Sequence, residues 1–483
     1  MTRESLIKYN ITISSFMLAI IWIFGLRENY TLMLAYAMNT AIVFTFLLKV
    51  ELGNYKGMNL NILVLVGYIF RMVYPALTMS IGAIGGGRYT YLYTNDITDY
   101  MFPCVAWMNI YYMLFYFFLN KYASGKTIDN ALIFYFRRYN IFILSIILFV
   151  LSEAYNIYAY YIPSGNLSLV INTILSNLLF LSLLLLAFDA ASSKSRKKSD
   201  MFKVLIILAI LRAIFFGFYK GAILIPFAIY CLYEFMILKQ EGKKVFNKRL
   251  VILVIVFFAS AQFVVYPFMS IKRNVSGFDV SYGGTGGVAT VEFSNLDILS
   301  DVLSGKYIND NDQGNTFDRL NSIPSNTFFY KDVCTKQRYN TDIALDNIIL
   351  LIPRFLYPEK HSTRAGLMVN SYATTGSITN YKYSLSFSNI GQFSSAYFMG
   401  GAFLAVLFAI LNGLFICRYF EFLLSNILNI VSLLFLTLLL MDALNAFEEI
   451  SDGGLVRVGM YCFYMIAVKL TNVIFKPKQI IYE

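Results

Sequence analysis

The chain has 483 residues, of which 58% are hydrophobic and 14% are charged, and its mean hydropathy is +0.62. Soluble domains carry about 25% charged residues, so this composition excludes a soluble protein and indicates an integral membrane protein. The formal net charge is +11. The positions of the basic residues show whether this charge reflects membrane topology or a binding site for an anionic partner.

Apolar windows follow one another along the chain. A spanning helix needs about 20 apolar residues, and the first window lacks the small-residue cleavage site of a signal peptide, so it is predicted to span. The windows are 9–26, 31–49, 60–82, 100–119, 140–161, 167–189, 202–219, 222–238, 250–271, 389–416, 424–443 and 455–474. The sequence therefore predicts an all-α polytopic membrane protein with about 12 transmembrane helices.

The basic residues set the predicted orientation. With a cytoplasmic N-terminus, the inside segments and the adjoining ends of the spans hold 21 of the 39 Lys and Arg residues, and the short outside loops with their adjoining span ends hold four. This positive-inside bias places both termini in the cytoplasm. It also explains the basic runs at 194–198 and 243–249 by topology, so no nucleic-acid partner is expected.

Three parts follow from this topology. Residues 1–271 hold spans one to nine, residues 272–388 form one large loop outside the membrane, and residues 389–483 hold spans ten to twelve and a cytoplasmic tail. The loop has eleven basic and eleven acidic residues and thus no net charge. Within it, Asp297–Leu303 and the amphipathic stretch Ile343–Leu356 are predicted to be short helices that cap the outer face.

A cationic string in this loop is the main candidate site. Residues 352–366 read IPRFLYPEKHSTRAG and surround the sole histidine, His361, with Arg and Lys. Arg offers planar bidentate donors to phosphate. The outside cations that could converge on a phosphate or pyrophosphate are Lys220, Arg273, Arg319, Arg354, Lys360 and Arg364. For Arg273, at the end of span nine, snorkelling to the interface is the simpler explanation.

Two further cations, Arg71 and Arg212, fall inside apolar windows. A charge at membrane depth costs about 2.5–3.5 kcal/mol on insertion scales, so such residues face a partner or a wet cavity. Structural pairing and function are both open for them. Arg212 precedes Lys220 by eight residues, about two helical turns, so both side chains could line one cavity.

The candidates for a general base are a histidine and several carboxylates. His361 is one candidate, because an unperturbed imidazole titrates near neutrality. Glu359, Glu448, Glu449 and Asp452 are acidic alternatives. Cys334 is the lone cysteine of the loop, and no Cys/His spacing suggests a metal site. Walker, HExxH and GxSxG motifs are absent from the sequence, which argues against ATP-driven transport, metalloproteolysis and serine hydrolysis.

The string LLIPRFLYPEKHSTRAGLMVN resembles the loop signature of the Wzy-type O-antigen and capsule repeat-unit polymerases. Three other stretches are similar to that family: FGFYKGAILIPFAIY, YPFMSIKRN and SFSNIGQFSSAYFMGGAFLAVLFAILNGLF. The resemblance implies a GT-C-like helical body in the bacterial inner membrane, with the large loop in the periplasm.

That resemblance also implies an activity. The expected enzyme is a metal-independent, cofactor-free inverting glycosyltransferase whose donor is a glycan on undecaprenyl pyrophosphate. An acceptor sugar hydroxyl of a lipid-linked repeat unit attacks the donor anomeric carbon, and a chain-length regulator is a possible partner. Arg354, Arg273 and Lys220 would hold the pyrophosphate, with Arg319, Lys360, Arg364 and Arg212 as further contacts, and His361 or Glu448 would be the base.

Other functions remain open at this stage. An O-antigen ligase uses similar chemistry, and a lipid-linked oligosaccharide flippase or another transporter would have the same composition. Transporters commonly have internal repeats and short loops, whereas this chain has a 117-residue loop and no visible repeat. A non-catalytic scaffold of a polysaccharide assembly complex is the third class.

Overall fold

The structure is a computed structural model that describes most of the apolar part of the chain. The described residues are 2–53, 60–80, 98–122, 140–161, 168–216, 221–241, 248–265, 267–268, 294–304, 323–336, 392–444, 447 and 453–475. Every regular element within these ranges is helical.

Fifteen α-helices lie in the described ranges. The first eight are α1 (Arg3–Phe24), α2 (Tyr30–Gly53), α3 (Leu60–Tyr68), α4 (Tyr74–Ser80), α5 (Thr98–Tyr122), α6 (Ile141–Tyr161), α7 (Ser168–Ser193) and α8 (Arg196–Phe216). The others are α9 (Gly221–Gln240), α10 (Lys248–Ser260), α11 (Ser294–Leu303), α12 (Ile323–Lys336), α13 (Gln392–Ser425), α14 (Ile430–Leu444) and α15 (Gly453–Phe475). One π-helical turn, Ile69–Val73, joins α3 to α4, and another, Ala261–Val265, extends α10.

Five helical segments are long and apolar enough to cross a membrane. They are Arg3–Phe24, Tyr30–Gly53, Leu60–Leu77, Asp99–Asn120 and Gln392–Ser425. The prediction of a helical membrane protein is thereby confirmed. A described helix falls within each of the twelve apolar windows, but the number of spans and the orientation of the termini stay predictions.

The described helices belong to two compact units. The first unit comprises residues 1–132 and 317–483, and the second comprises residues 133–316. The first unit thus contains α1–α5 and α12–α15, and the second contains α6–α11.

Local sequence signals explain several helix ends. The Thr2 side chain accepts a hydrogen bond from the Ser5 backbone N–H at 3.2 Å, which caps the start of α1. Gly25 ends the same helix in the left-handed conformation, at φ 65°. Pro103 lies inside α5 and Pro226 inside α9, each past the first turn, so each proline removes one intrahelical hydrogen bond.

Two polar clusters join α1, α2 and α5 in the first unit. Asn109 of α5 donates to Ser14 at 2.9 Å and to Tyr36 at 2.8 Å, and its Oδ1 accepts from Asn10 at 3.2 Å. All four side chains are buried. Polar side chains bonded across membrane helices stabilise their packing by about 0.6 kcal/mol each and up to about 1.7, and they fix the rotation of α5 against its neighbours.

The second cluster lies near the start of α1 and the end of α2. Glu51 is 1% exposed, its Oε1 lies 2.5 Å from Arg3 Nε, and the hydroxyl of Tyr116 donates to it at 2.7 Å. A buried carboxylate requires such partners, because an uncompensated charge at this depth is costly.

Helix α13 reverses direction inside the protein. Before Gly400, Phe393 packs on Tyr111 and Tyr397 packs on Trp107, with ring centroids 6.0 and 6.3 Å apart, so this first segment runs antiparallel to α5. After Gly401, α13 contacts α5 again at Gly413. A Cβ added there would lie only 2.7 Å from the backbone oxygen of Phe115, so the two backbones approach closely. Since Phe115 lies further along α5, the second segment runs back in the direction of α5.

Gly400 and Gly401 form the turn between the two segments. Gly401 has φ 65° and ψ −155°, a combination open essentially only to glycine. The predicted window 389–416 overlaps α13, which is long and apolar enough to cross a membrane. The non-helical dihedral angles of the two glycines divide this helix into two segments.

Helix α12, from the long polar loop, lies beside the first segment of α13. Phe329 packs on Phe398 and Tyr330 packs on Tyr397, with ring centroids 5.2 and 4.9 Å apart. Asn326, one turn earlier in α12, accepts a hydrogen bond from Ser394, one turn earlier in α13, so the two segments run parallel. The start of α12 is fully buried, with Ile323, Asn326 and Thr327 each 0% exposed.

The second unit receives the other described helix of the loop. Ile298 and Val302 of α11 pack with Ala213 of α8, Ile223 of α9 and Val265 of the π-helical turn after α10. The sequence predicts a helix over Asp297–Leu303, and α11 covers it. The predicted helix Ile343–Leu356 lies outside the described residues.

The buried carboxylate at the end of α2 generates a stability prediction. Glu51→Gln removes the charge that Arg3 and Tyr116 bind, so we expect a loss of about 1.5–3 kcal/mol, the range for hydrogen bonds to charged groups. The thermal unfolding midpoint of the detergent-solubilised protein should fall accordingly. Glu4→Gln is the matched control, because Glu4 is exposed in the first turn of α1. Equal midpoints for the two variants would contradict a structural role for Glu51.

Candidate functional site

Most of the predicted site lies outside the described residues. This holds for both candidate bases, His361 and Glu448, and for the cations Lys220, Arg273, Arg319, Arg354, Lys360 and Arg364. Their roles therefore stay predictions. Arg212 is the predicted pyrophosphate contact that the described ranges include.

Arg212 lies near the end of α8 and forms an ion pair. Its Nε donates to Glu153 Oε2 of α6 at 2.8 Å, and the two side chains are 13% and 14% exposed. A cation in an apolar helix requires a partner or a wet cavity. For Arg212, that partner is the Glu153 carboxylate on α6. Of the two roles left open by the sequence, the structure supports pairing.

The pair has unused hydrogen-bonding capacity. Glu153 Oε1 is buried and has no partner among the described residues. Arg212 contacts the other oxygen, Oε2, through Nε. Glu153 therefore offsets the positive charge of the guanidinium.

Helix α11 packs next to this pair. Ala213, which follows Arg212, is fully buried in the apolar cluster with Ile298 and Val302 of α11. A helix of the long loop is thus fixed against the segment of α8 that carries the buried cation.

A second polar site lies at the start of α13, in the first unit. Tyr111 donates its hydroxyl to Gln392 Oε1 at 3.0 Å. Ser394, two residues later, donates its hydroxyl to Asn326 Oδ1 of α12. Gln392, Ser394 and Asn326 are 4%, 1% and 0% exposed. The sequence interpretation did not single out these residues; the Gly400–Gly401 pair inside an apolar run was the signal that could have indicated a broken helix.

Arg71 occupies the π-helical turn after α3. Its side chain is 8% exposed, which confirms the prediction that this cation is buried. Single π-helical turns often occur at functional sites. Tyr68, which precedes the π-helical turn, packs on Tyr112 of α5 with ring centroids 4.4 Å apart, so the turn begins beside the middle of α5.

Charged groups also meet where α1 ends and α5 begins. The guanidinium of Arg27 lies over the ring of Tyr100, 5.5 Å from its centroid, a cation–π contact. A hydrogen bond with Asp99 and the charge of Asp99 raise the pKa of the exposed Glu28. The Glu28 carboxyl therefore binds a proton more readily than an isolated glutamate.

The loop cysteine has the character of a structural thiol. Burial raises the pKa of Cys334, which keeps the thiol protonated and a poor nucleophile. All five cysteines are free. Among the described residues, no group of three or more His, Cys, Asp or Glu side chains is placed to hold a metal ion.

Comparisons with protein-family models, curated proteins and solved structures find no match to this chain. The resemblance carried by the cationic string thus stands on the quoted residues.

The Arg212–Glu153 pair generates a prediction about its role. Arg212→Leu leaves a buried carboxylate unpaired, which typically costs about 3–5 kcal/mol, and the double change to Arg212→Leu, Glu153→Leu should recover most of that loss. The measurement is the unfolding midpoint of the four species in a double-mutant cycle.

The control is a surface pair on the same helix. Arg196 and Asp200 are 3.8 Å apart, and their side chains are 97% and 61% exposed, so Arg196→Leu should leave the midpoint unchanged. If the double variant at 212 and 153 is no more stable than Arg212→Leu, the two residues do not act as a pair.

Proposed function

We propose that this protein is a polymerase that joins undecaprenyl-pyrophosphate-linked oligosaccharide repeat units into an O-antigen or capsular polysaccharide. The reaction takes place at the periplasmic face of the bacterial inner membrane. An acceptor sugar hydroxyl attacks the anomeric carbon of the donor, the configuration inverts, and the lipid pyrophosphate leaves.

The string at 352–366 is the observation that carries this proposal, and the packing of its loop supports it. The two described helices of that loop, α11 and α12, both pack against apolar membrane helices. The proposal requires the cations of this loop to lie near lipid-anchored substrates, and packing of α11 and α12 against membrane helices is compatible with that requirement. Proximity of this kind is what a reaction between two membrane-anchored sugars requires.

Physical chemistry explains why cations dominate such a site. Pyrophosphate is already a good leaving group, so the enzyme mainly stabilises the charge that develops on it. We assign this role to Arg354, Arg273 and Lys220, with Arg319, Lys360 and Arg364 as further contacts. Arg212 is a weaker candidate than the others, because Glu153 already occupies its Nε.

A transporter of lipid-linked oligosaccharides is the second candidate, and a specific observation favours it. Helix α13 is broken at Gly400–Gly401, and interrupted membrane helices are a recurrent feature of transporter binding sites. An assay that follows polymer formation in the absence of a membrane gradient distinguishes the two functions.

The first prediction of the proposal concerns Arg354. A charge-assisted contact contributes about 1.5–3 kcal/mol, so Arg354→Ala should lower polymer formation by roughly 10- to 100-fold. Arg354→Lys should recover little if the contact is bidentate. The measurement is the product ladder formed by the purified protein in nanodiscs from a pyrophosphate-linked repeat unit, with EDTA present.

Arg418→Ala is the control, because Arg418 is an exposed arginine near the end of α13, with a side chain 70% exposed. Wild-type polymerisation by Arg354→Ala would refute the pyrophosphate role. Loss of polymer only when EDTA is present, with recovery on added metal, would refute the metal-independent mechanism.

The second prediction separates the two candidate bases. His361→Ala should lower single-turnover transfer by about 100-fold or more if His361 takes the proton. Glu448→Gln is the paired variant, since it keeps the shape of the side chain and removes its basicity. If Glu448→Gln is inactive while His361→Ala is active, the carboxylate is the base.

A further inference from the structure

The turn between α7 and α8 carries a group of exposed basic side chains. Residues 194 and 195 connect the two helices, and α8 begins at Arg196. Lys194, Arg196, Lys197 and Lys203 are all exposed, and we refer to these four cations as the α8 basic patch. The Asp200 carboxylate lies 3.8 Å from Arg196. One exposed carboxylate thus accompanies four exposed cations.

An ion pair fixes the position of this turn. Lys198 Nζ lies 2.8 Å from Asp189 Oδ2, and the two side chains are 30% and 12% exposed. Because Asp189 lies near the end of α7, the pair ties the first turn of α8 to that helix. Ser199 also accepts a hydrogen bond from Tyr233 of α9 at 2.7 Å. The patch therefore lies on a fixed surface, and Lys198 is excluded from it because Asp189 neutralises its charge.

The placement of these cations is unfavourable for the helix itself. The N-terminus of a helix is the positive end of its dipole, so Arg196 and Lys197 in the first turn of α8 are repelled by it and by each other. Lys194 has φ 51°, which non-glycine residues seldom adopt. Membrane topology requires basic residues near a span, but it does not require them at consecutive positions of a first turn. A bound anion would offset this repulsion.

An exposed apolar stripe continues from the patch along α8. Arg196, Lys203, Ile207 and Leu211 are seven, four and four residues apart, so they share one face of the helix. Ile207 and Leu211 are 56% and 44% exposed, and an apolar face of this kind on a membrane helix lies against lipid chains. The distance from Lys203 to Leu211 is about 12 Å along the helix axis. A phospholipid can contact both parts at once, whereas a free phosphate or an acidic peptide meets the cations alone.

We propose that the α8 basic patch binds the headgroup of an anionic phospholipid, whose acyl chain lies along Ile207 and Leu211. Clusters of Lys and Arg beside a membrane helix attract anionic lipid headgroups in general. Here the Asp189–Lys198 pair holds the cluster in place, and the stripe supplies the surface for the chain. None of these residues is assigned a role in the polymerase reaction, so the site is independent of that function.

The test measures lipid binding to the detergent-solubilised full-length protein by fluorescence anisotropy. The probe is a phosphatidylglycerol with a fluorophore at the end of one acyl chain. An anionic lipid surface attracts each nearby Lys or Arg by an amount that corresponds to about fivefold in affinity. The triple variant Arg196→Gln, Lys197→Gln, Lys203→Gln should therefore weaken probe binding by about tenfold or more. Asp200→Asn should strengthen it, because this change removes the carboxylate beside the patch.

The triple variant Lys8→Gln, Lys49→Gln, Lys469→Gln is the matched control. It removes the same number of charges from exposed positions on α1, α2 and α15. Probe binding should stay within about twofold of wild type, the range typical of surface substitutions. Since all six substituted positions are exposed, both triple variants should keep the unfolding midpoint of the wild type. Equal loss of binding in the two variants would show that total charge, and not the patch, attracts the lipid, and would overturn the site.

The competitors identify what the site recognises. Unlabelled phosphatidylglycerol should displace the probe, and phosphatidylcholine, which has no net charge, should do so at least about tenfold more weakly. Glycerol 3-phosphate and a short polyglutamate peptide, at the same concentration, should not displace it. Equal displacement by phosphatidylcholine overturns the role of the cations, and displacement by either soluble anion overturns the lipid as the occupant. Wild-type binding by the triple variant at 196, 197 and 203 also refutes the site.

Discussion

The first unit is organised by the need of one buried helix to satisfy its polar side chains. Helix α5 is apolar enough to span a membrane, and 78% of its most apolar stretch is buried inside the protein. Bulk water does not solvate polar groups in that environment, so a partner on another helix stabilises each polar side chain that finds one. Asn109, Tyr111, Tyr116 and Asn120 do so on different neighbours.

Each of these contacts fixes a different neighbour. Asn109 holds α1 and α2, Tyr116 holds the end of α2 through Glu51, and Asn120 accepts from Asn61 at the start of α3. Tyr111 holds the start of α13 through Gln392. The polar residues of α5 thus set the order of the helices around it, which apolar packing alone does not specify.

The reversal of α13 follows from this arrangement. The same helix touches α5 twice, first through Gln392 and then through Gly413, because Gly401 has a backbone conformation that other residues rarely adopt. The reversal places a helix start at mid-depth, and α12 supplies Asn326 next to it. A segment of the polar loop thereby contributes to the interior of the membrane body.

The sequence predicted where the helices lie along the chain, but it did not predict which helices contact one another. Hydrophobic windows find spanning helices because the bilayer fixes their length, and Arg71 was recognised as buried because an apolar window surrounds it. Glu153 was missed as the partner of Arg212, because 59 residues separate them and no local pattern tells which helices adjoin. Asn326 and Gln392 were missed for the same reason, since single amides in polar or interfacial sequence give no periodic signal.

The Arg212–Glu153 pair and the polar side chains at the start of α13 offset the cost of burying a polar group in different ways. A guanidinium at depth requires a carboxylate, and Glu153 supplies it for Arg212, which also reduces the attraction of Arg212 for an anionic ligand. Amide groups have no net charge, so they can be buried without a counter-ion, and hydrogen bonds offset the cost of their burial. Gln392 accepts such a bond from Tyr111, and Asn326 accepts one from Ser394.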